Sequence, residues 1–447
     1  MKNIKRFISI LLVLALFAVS CIVLFACDKK DVDNTPAFLK ASESADGYAT
    51  VYMPNDRDIK IMLLSDPQVD VYEKYKVVGS PGNDKTYEFI EDFVAQTSPD
   101  IVIINGDLVM NDMFWQSSSQ YFDRYGEIFE RLQIPWAFTF GNHDLDGKYE
   151  TEDATYDTTN RQCSKSLLIE HFEQTYPHCL ITSDEKCQDG DGNYFINIRK
   201  MSGELAYTLC LLDCTFNEET SSYNYVPTAN QVNWYKDTIN TMSDAEYGMD
   251  RGDKVVRSMI FNHVGIPEFK SAWEEAWNSG EPTDKYYYGH YFEGNYSKKY
   301  GDMPENEQIF AVAKSLGSTK AIFMCHHHDN DFSVDYQGIR LTFGQHSGYS
   351  HNYRTTHSAH GTLPTQYSAW ADIDFSRVDN YGDERGGTQI TISAQGAFDV
   401  QPMLAKDALS NYKEKYYIDY DAVAKSLDEN GAYSGSVKRG DGRAWKL

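Results

Sequence analysis

Positive charge is what this chain has least of. Lys and Arg number 41 against 66 Asp and Glu, a formal net charge of −25 over 447 residues. A general nucleic-acid binder needs a basic surface against the phosphate backbone, so that class is excluded. A small phosphate-bearing substrate is not excluded, because bound divalent cations can supply the positive charge locally. Cysteine is scarce as well, eight residues in all, too few for a disulfide-dense scaffold. Pairing within Cys163, Cys179 and Cys187 stays open, whereas Cys210 and Cys214 sit in an apolar run and read as buried thiols. No internal repeat is present, and no histidine precedes His143. Apolar residues make up 41% of the chain and aromatics 14%, most of them Tyr, which is enough for a substantial core.

Lys2, Lys5 and Arg6 precede an apolar stretch, Phe7 to Ala26, which reads as a signal peptide. It ends Leu24-Phe25-Ala26-Cys27 before a polar segment. That ending resembles a bacterial lipobox in which Cys27 becomes lipidated, with Cys21 as the rival site. The alternative is a retained membrane anchor, since about 20 apolar residues can span a bilayer. Either way the expectation is an exported protein on the outer face of a bacterial cell membrane.

Residues 27–47 read as a polar tether. A main domain then runs over 48–400, with loop-rich insertions near 145–205 and 278–304, and 401–447 form a helical extension and tail. Buried-strand candidates are Ile59–Asp66, Asp100–Asp107, Ile134–Asp144, Ala206–Cys214, Val255–His263, Lys320–His328, Gly338–Gly344 and Thr388–Ala394. Helical patterns fall near Lys85–Gln96 and Ser118–Leu132. Apolar strands separated by helices imply α/β architecture, and the late strands without helices between them imply a second, partly antiparallel sheet.

Five strands end in side chains able to bind metal or move protons: Asp66, Asp107, Asn142 with His143, His263, and His326 with His328. In α/β sheets such groups collect beyond the carboxyl ends of the strands. Oxygen and imidazole donors converging on one rim make a metal site. A lone strand-end Asp is more often a helix cap or turn residue; five endings in this order are not explained that way.

The ordered blocks Asp66-Pro67-Gln68, Gly106-Asp107, Gly141-Asn142-His143-Asp144, His263 and Cys325-His326-His327-His328 resemble the calcineurin-like metallophosphoesterases, which include purple acid phosphatases. Pro267-Glu268 and Asn330-Asp331 resemble a phosphatase-like branch with H-x-x-x-P-E and G-H-x-H-x-N-D. The resemblance covers about residues 57–395. It implies a four-layer α/β/β/α sandwich of two mixed β-sheets flanked by helices. It also implies two metal ions (Fe, Mn or Zn) and hydrolysis of phosphate esters by water or hydroxide at that binuclear centre. Phosphomonoesters are favoured; nucleotides and phosphodiesters are the alternative substrates, and a degenerate surface-binding lipoprotein is the alternative of another class.

By the same resemblance, one metal takes Asp66, Asp107 and His328, with Gln68 as a further candidate. The other takes Asp107, Asn142, His263 and His326. His143 is the catalytic residue, bonding the phosphoryl group or protonating the leaving oxygen, and Asp144 either orients it or caps a loop. Gln68 stands where the family has His, and a neutral amide oxygen is a weaker and harder donor, so weaker binding or a different ion is expected there. Cys325 replaces Gly and reads as a small buried residue more readily than as a soft ligand. The family's tyrosinate position is not Tyr here (Gly106-Asp107-Leu108-Val109-Met110), so no purple colour is expected.

On an extended segment residues two apart face the same way. His326 and His328 would then point inward, one to each metal, and His327 outward. Asn330 and Asp331 read as loop-fixing groups. His346 and Tyr349 are candidates for the pocket wall, although a solvated loop is the more common place for a residue such as His346. His171 and His178 carry no functional signal. Tyr-rich 285–296, with His290, is either a substrate lip or surface packing. Phe269, Trp273 and Trp277 have core spacing.

Overall fold

In this computed structural model the described residues are 37–70, 83–110, 119–144, 165–217, 222–223, 226–278, 281–289, 291, 300–328, 330–349, 385–417, 437–438 and 444–445. Cys21, Cys27, Cys163, His290, Asp329, His351, His357 and His360 lie outside them. Fourteen strands build two sheets: β1 Phe38–Leu39, β2 Ala49–Tyr52, β3 Ile59–Leu64, β4 Ile101–Asn105, β5 Trp136–Thr139, β6 Tyr194–Arg199, β7 Leu205–Leu212, β8 Ser258–Asn262, β9 Tyr286–Tyr288, β10 Thr319–Met324, β11 Ser333–Tyr336, β12 Ile339–Phe343, β13 Gly386–Ile392 and β14 Phe398–Leu404. The larger sheet has the order β1-β2-β6-β7-β8-β10-β12-β11-β9, and the smaller β14-β13-β3-β4-β5.

Six helices matter for packing: α1 Asn83–Thr97, α2 Ser119–Leu132, α3 Lys165–Thr175, α4 Ala229–Tyr247, α5 Glu268–Ala276 and α6 Ile309–Leu316. Their apolar residues recur every three to four positions, as Phe89, Ile90, Phe93 and Val94 do in α1. Strand periodicity assigns the layers. In β8, Met259 and Phe261 join the core between the sheets, while Ile260 joins the core under α4, α5 and α6. Leu209 and Leu211 against Cys210 and Leu212 repeat that division in β7. The first core extends through the small sheet to α1, α2 and α3. The result is helices, sheet, sheet, helices, with both sheets mixed.

Strands β3, β4 and β5 run parallel, as do β7, β8, β10 and β12. Their carboxyl ends therefore share a rim within each sheet. Several expectations need correcting. Gly386–Ile392 pairs antiparallel with β3 in the small sheet rather than helping to form the second one. Residues 145–205 contain α3 and β6, and β6 lies inside the large sheet between β2 and β7. The tether ends earlier than 47, because Phe38–Leu39 pairs with β2 and Lys40 Nζ donates to the carbonyls of Glu173 and Tyr176. Strand β14 runs through position 400, so the extension begins with sheet and not helix. Cys179 and Cys187 are buried free thiols packed in different cores. Among the described residues, no helix is long and apolar enough to cross a membrane.

Candidate metal centre

The loops leaving β3, β4 and β5 meet those leaving β8 and β10. Asn105, the last residue of β4, ties the two sheets directly beneath this junction. Its Nδ2 donates to the carbonyl oxygens of Asn262 and Phe323 in the large sheet, and its Oδ1 accepts from Thr139 Oγ1. Its own carbonyl oxygen accepts from His263 Nδ1 at 2.8 Å. That bond fixes the tautomer and leaves His263 Nε2 as the nitrogen facing Asp107 Oδ2, 3.1 Å away.

Asp107 is the hub. Its Oδ1 accepts the backbone N–H of His143 at 2.9 Å, and its Oδ2 accepts from Gln68 Nε2 at 2.9 Å. Burial alone would favour the neutral acid, but the imidazoles of His263 and His143 outweigh it and keep Asp107 ionised. The reciprocal effect appears at His263. Burial pushes its pKa down, yet the Asp107 carboxylate prevails and lifts it to about 9. Burial and the neighbouring imidazoles of His327 and His263 instead hold His326 neutral.

Two overlapping donor groups result. Donor atoms of Asp107, His263 and His326 lie within 4.8 Å of one another, and so do those of Asp66, Asp107 and His328. Asp107 belongs to both. Imidazoles, carboxylates and amide oxygens are a fitting set for divalent first-row ions. Two buried atoms strengthen the fit: Gln68 Oε1 and Asn142 Oδ1 have no hydrogen-bond partner. A buried amide oxygen left without one costs about 1–3 kcal/mol, and a cation would satisfy it.

The backbone is strained where the donors sit. Seven described non-glycine residues have positive φ, and four of them are Asp66 (49°), Gln68 (41°), Asp107 (51°) and His326 (73°). Such positions cost about 1–3 kcal/mol each and cluster where function demands them. Two motif glycines are there for space. A Cβ on Gly106 would collide with the His263 ring, and one on Gly141 with Asp107 Oδ1. The histidine run is a bend, not an extended segment, because His326 is left-handed and His327 N–H donates to the Cys325 carbonyl. His326 and His328 do fall in separate donor groups, through that turn and not through strand alternation. Outside both groups, the His327 ring lies near Phe343.

Of the remaining candidates, Asp144 buttresses loops. It is buried and accepts from the backbone N–H groups of Val109 and Gly141. Burial and then the Asp107 charge raise its pKa to about 7. Asn330 and Asp331 are both buried, and Asn330 N–H donates to the His327 carbonyl. His346 is no solvated loop histidine: it is 6% exposed, and its ring stacks on His328 at 5.1 Å and 13°. Tyr349 is not in the pocket wall but in the core against Phe89, and its hydroxyl donates to the Tyr416 carbonyl. Cys325 is fully buried, its Sγ 3.0 Å from Ser65 Oγ. His171 pairs with Asp123 and His178 with Glu130, both structural. Asn105 is the residue that sequence reasoning misses; its one local signal is its position before Gly106-Asp107.

The family described as Calcineurin-like phosphoesterase matches residues 59–431. The chain belongs to that family. Among the chain's relatives, "Probable inactive purple acid phosphatase 14" of Arabidopsis thaliana is 24% identical over 327 residues, 68% of this chain and 75% of that protein. "Phosphatase DCR2" of Saccharomyces cerevisiae is 26% identical over 274 residues, 60% of this chain and 42% of that protein. A solved dimetal phosphatase from Danio rerio is 12% identical, with a TM-score of 0.39 over 76% of this chain and 94% of that one. A superposition that loose carries no argument about function.

Proposed function

We propose that this phosphoesterase is an active, exported hydrolase of phosphate esters, with phosphomonoesters preferred, working at a centre of two metal ions. The observation that carries the reading is the pair of donor groups sharing Asp107. Asp66 and His328, with Gln68, would hold one ion; Asn142, His263 and His326 would hold the other. When bound, the ions supply positive charge against the phosphoryl oxygens and lower the pKa of water toward neutrality. The chain's own work is to hold this geometry rigidly, through Asn105, Asp144 and the strained donor backbone. His143, its backbone N–H anchored on Asp107, stands beside the centre and would give a proton to the leaving oxygen.

Export and anchoring rest on the apolar stretch Phe7–Ala26 and on Cys27 after it. With a lipid on Cys27, the partner of the chain is the outer face of the cell membrane, and its substrate a small phosphate ester. Replacing Cys27→Ser should release the protein into the medium; retention in the membrane fraction would argue for an anchor of another kind.

Elemental analysis together with turnover of an aryl phosphate and an aryl phosphodiester tests the enzyme reading. Two ions per chain and faster monoester turnover are expected. One ion and no turnover of either compound with added Mn²⁺, Zn²⁺ or Fe²⁺ would instead favour a binding protein that has lost the chemistry. A relative whose name calls it inactive makes that second outcome worth measuring.

A further inference from the structure

Gln68 occupies the place where the resembled motif has an imidazole, and its surroundings are specific. It is 1% exposed, its φ is +41°, and its backbone N–H donates to the Asp107 carbonyl at 2.9 Å. Its Nε2 donates to Asp107 Oδ2 at 2.9 Å, while Oε1 is buried without a hydrogen-bond partner. The orientation of the amide is decided by charge. A carboxylate oxygen only accepts, so the NH₂ end faces Asp107 and Oε1 is left as the acceptor without a partner. A side chain kept only for packing would not carry a buried, unsatisfied carbonyl, because Met fills similar space without that cost.

We propose that Gln68 sets which metal this phosphoesterase takes on the Asp66–Asp107–His328 side, by presenting Oε1 as a hard oxygen donor while Nε2 steadies the shared carboxylate. This rests on the two-ion reading above. With Gln68, that side offers oxygens from Asp66, Asp107 and Gln68 and one nitrogen from His328. The other side offers two imidazoles, His263 and His326, with oxygens from Asp107 and Asn142. Carboxylate and carbonyl oxygen suit Mn²⁺, and added imidazole favours Zn²⁺ far more than Mn²⁺. An imidazole at position 68 could not do both jobs, since a ring that binds an ion through one nitrogen points its other nitrogen away.

The test is metal titration of the whole, metal-depleted chain by calorimetry with elemental analysis, using Mn²⁺ and Zn²⁺ separately. In Gln68→His, Zn²⁺ should bind about tenfold or more tightly at one of the two sites, with Mn²⁺ changed by less than about threefold. In Gln68→Met, Mn²⁺ should weaken by about tenfold or more at that same site. Because both variants also lose the bond to the shared carboxylate, binding at the other site should shift too, but by less than at this one, and its persistence reports that the fold is intact. Equal shifts for both ions in Gln68→His, or wild-type Mn²⁺ affinity in Gln68→Met, would overturn the assignment and leave the two-ion reading standing. A wild-type chain that binds fewer than two ions would overturn the two-ion reading itself, and the assignment with it.

Discussion

The imidazole of His263, at the end of a strand in the large sheet, donates to the backbone carbonyl of Asn105 in the small sheet at 2.8 Å. Asn105 returns the link through its side chain, to the carbonyls of Asn262 and Phe323. The donor that faces Asp107 is thus aimed by the opposite sheet. Asn105→Ala should leave those buried carbonyls and the Thr139 hydroxyl without their partner, and destabilise the fold by at least about 1–3 kcal/mol. Urea unfolding measures this. The backbone carbonyl that orients His263 survives the change, so two-ion binding should persist in the folded variant.

His346 lies against the face of His328. Removing that support in His346→Ala should weaken ion binding on the Asp66 side by about tenfold, the usual scale for groups that orient a ligand. His346→Phe keeps a ring face and should bind ions as the wild type does. If the Phe variant loses as much as the Ala variant, a ring nitrogen and not the stack is what matters.

His143 stands at the centre without belonging to either donor group. His143→Ala should retain both ions while kcat for an aryl phosphate falls by about 10²–10⁴-fold, the range for loss of a general acid. An unchanged kcat would remove His143 from the reaction.

Buried Asp213 pairs with half-buried Lys165 at 2.7 Å, and the Lys165 ammonium lies over the Phe140 ring just before the loop that carries Asn142 and His143. Burial raises the Asp213 pKa above the ordinary carboxylate range, and Lys165 pulls it back down in part. Lys165→Met should cost about 3–5 kcal/mol near neutral pH, by stranding a buried charge. The sign with pH follows from the raised folded pKa. The folded state keeps its proton to higher pH than the unfolded chain, whose value is about 3.9. The loss should therefore be small below about pH 4 and grow as pH rises through the folded pKa. Urea midpoints at pH 4 and pH 7 check this, and an equal loss at both would contradict it.

Much of this protein is legible in the local chemistry of its sequence. Apolar runs of strand length mark β3, β4, β5, β8 and β10 to within a few residues, because a buried strand must be apolar on both faces. The donors Asp66, Asp107, Asn142, His263, His326 and His328 stand at the strand ends, where the backbone leaves the sheet and side chains are free to act. Pairing between distant segments is a different matter. Nothing near Gly386–Ile392 announces that it lies beside β3, nor near Tyr194–Arg199 that it enters the large sheet, because a strand's neighbours are chosen by non-local packing. The same holds for single residues. Burial of His346 against His328, of Tyr349 in the core, and the cross-sheet reach of Asn105 depend on what the other sheet brings alongside. Sequence alone determined which groups could do the chemistry and their order along the chain. The resemblance already gave Asp107 to both ions; only the tertiary structure decided that Asn105 aims His263 at it and that Gln68 turns its amide nitrogen toward it, since both contacts depend on how distant segments close on one rim.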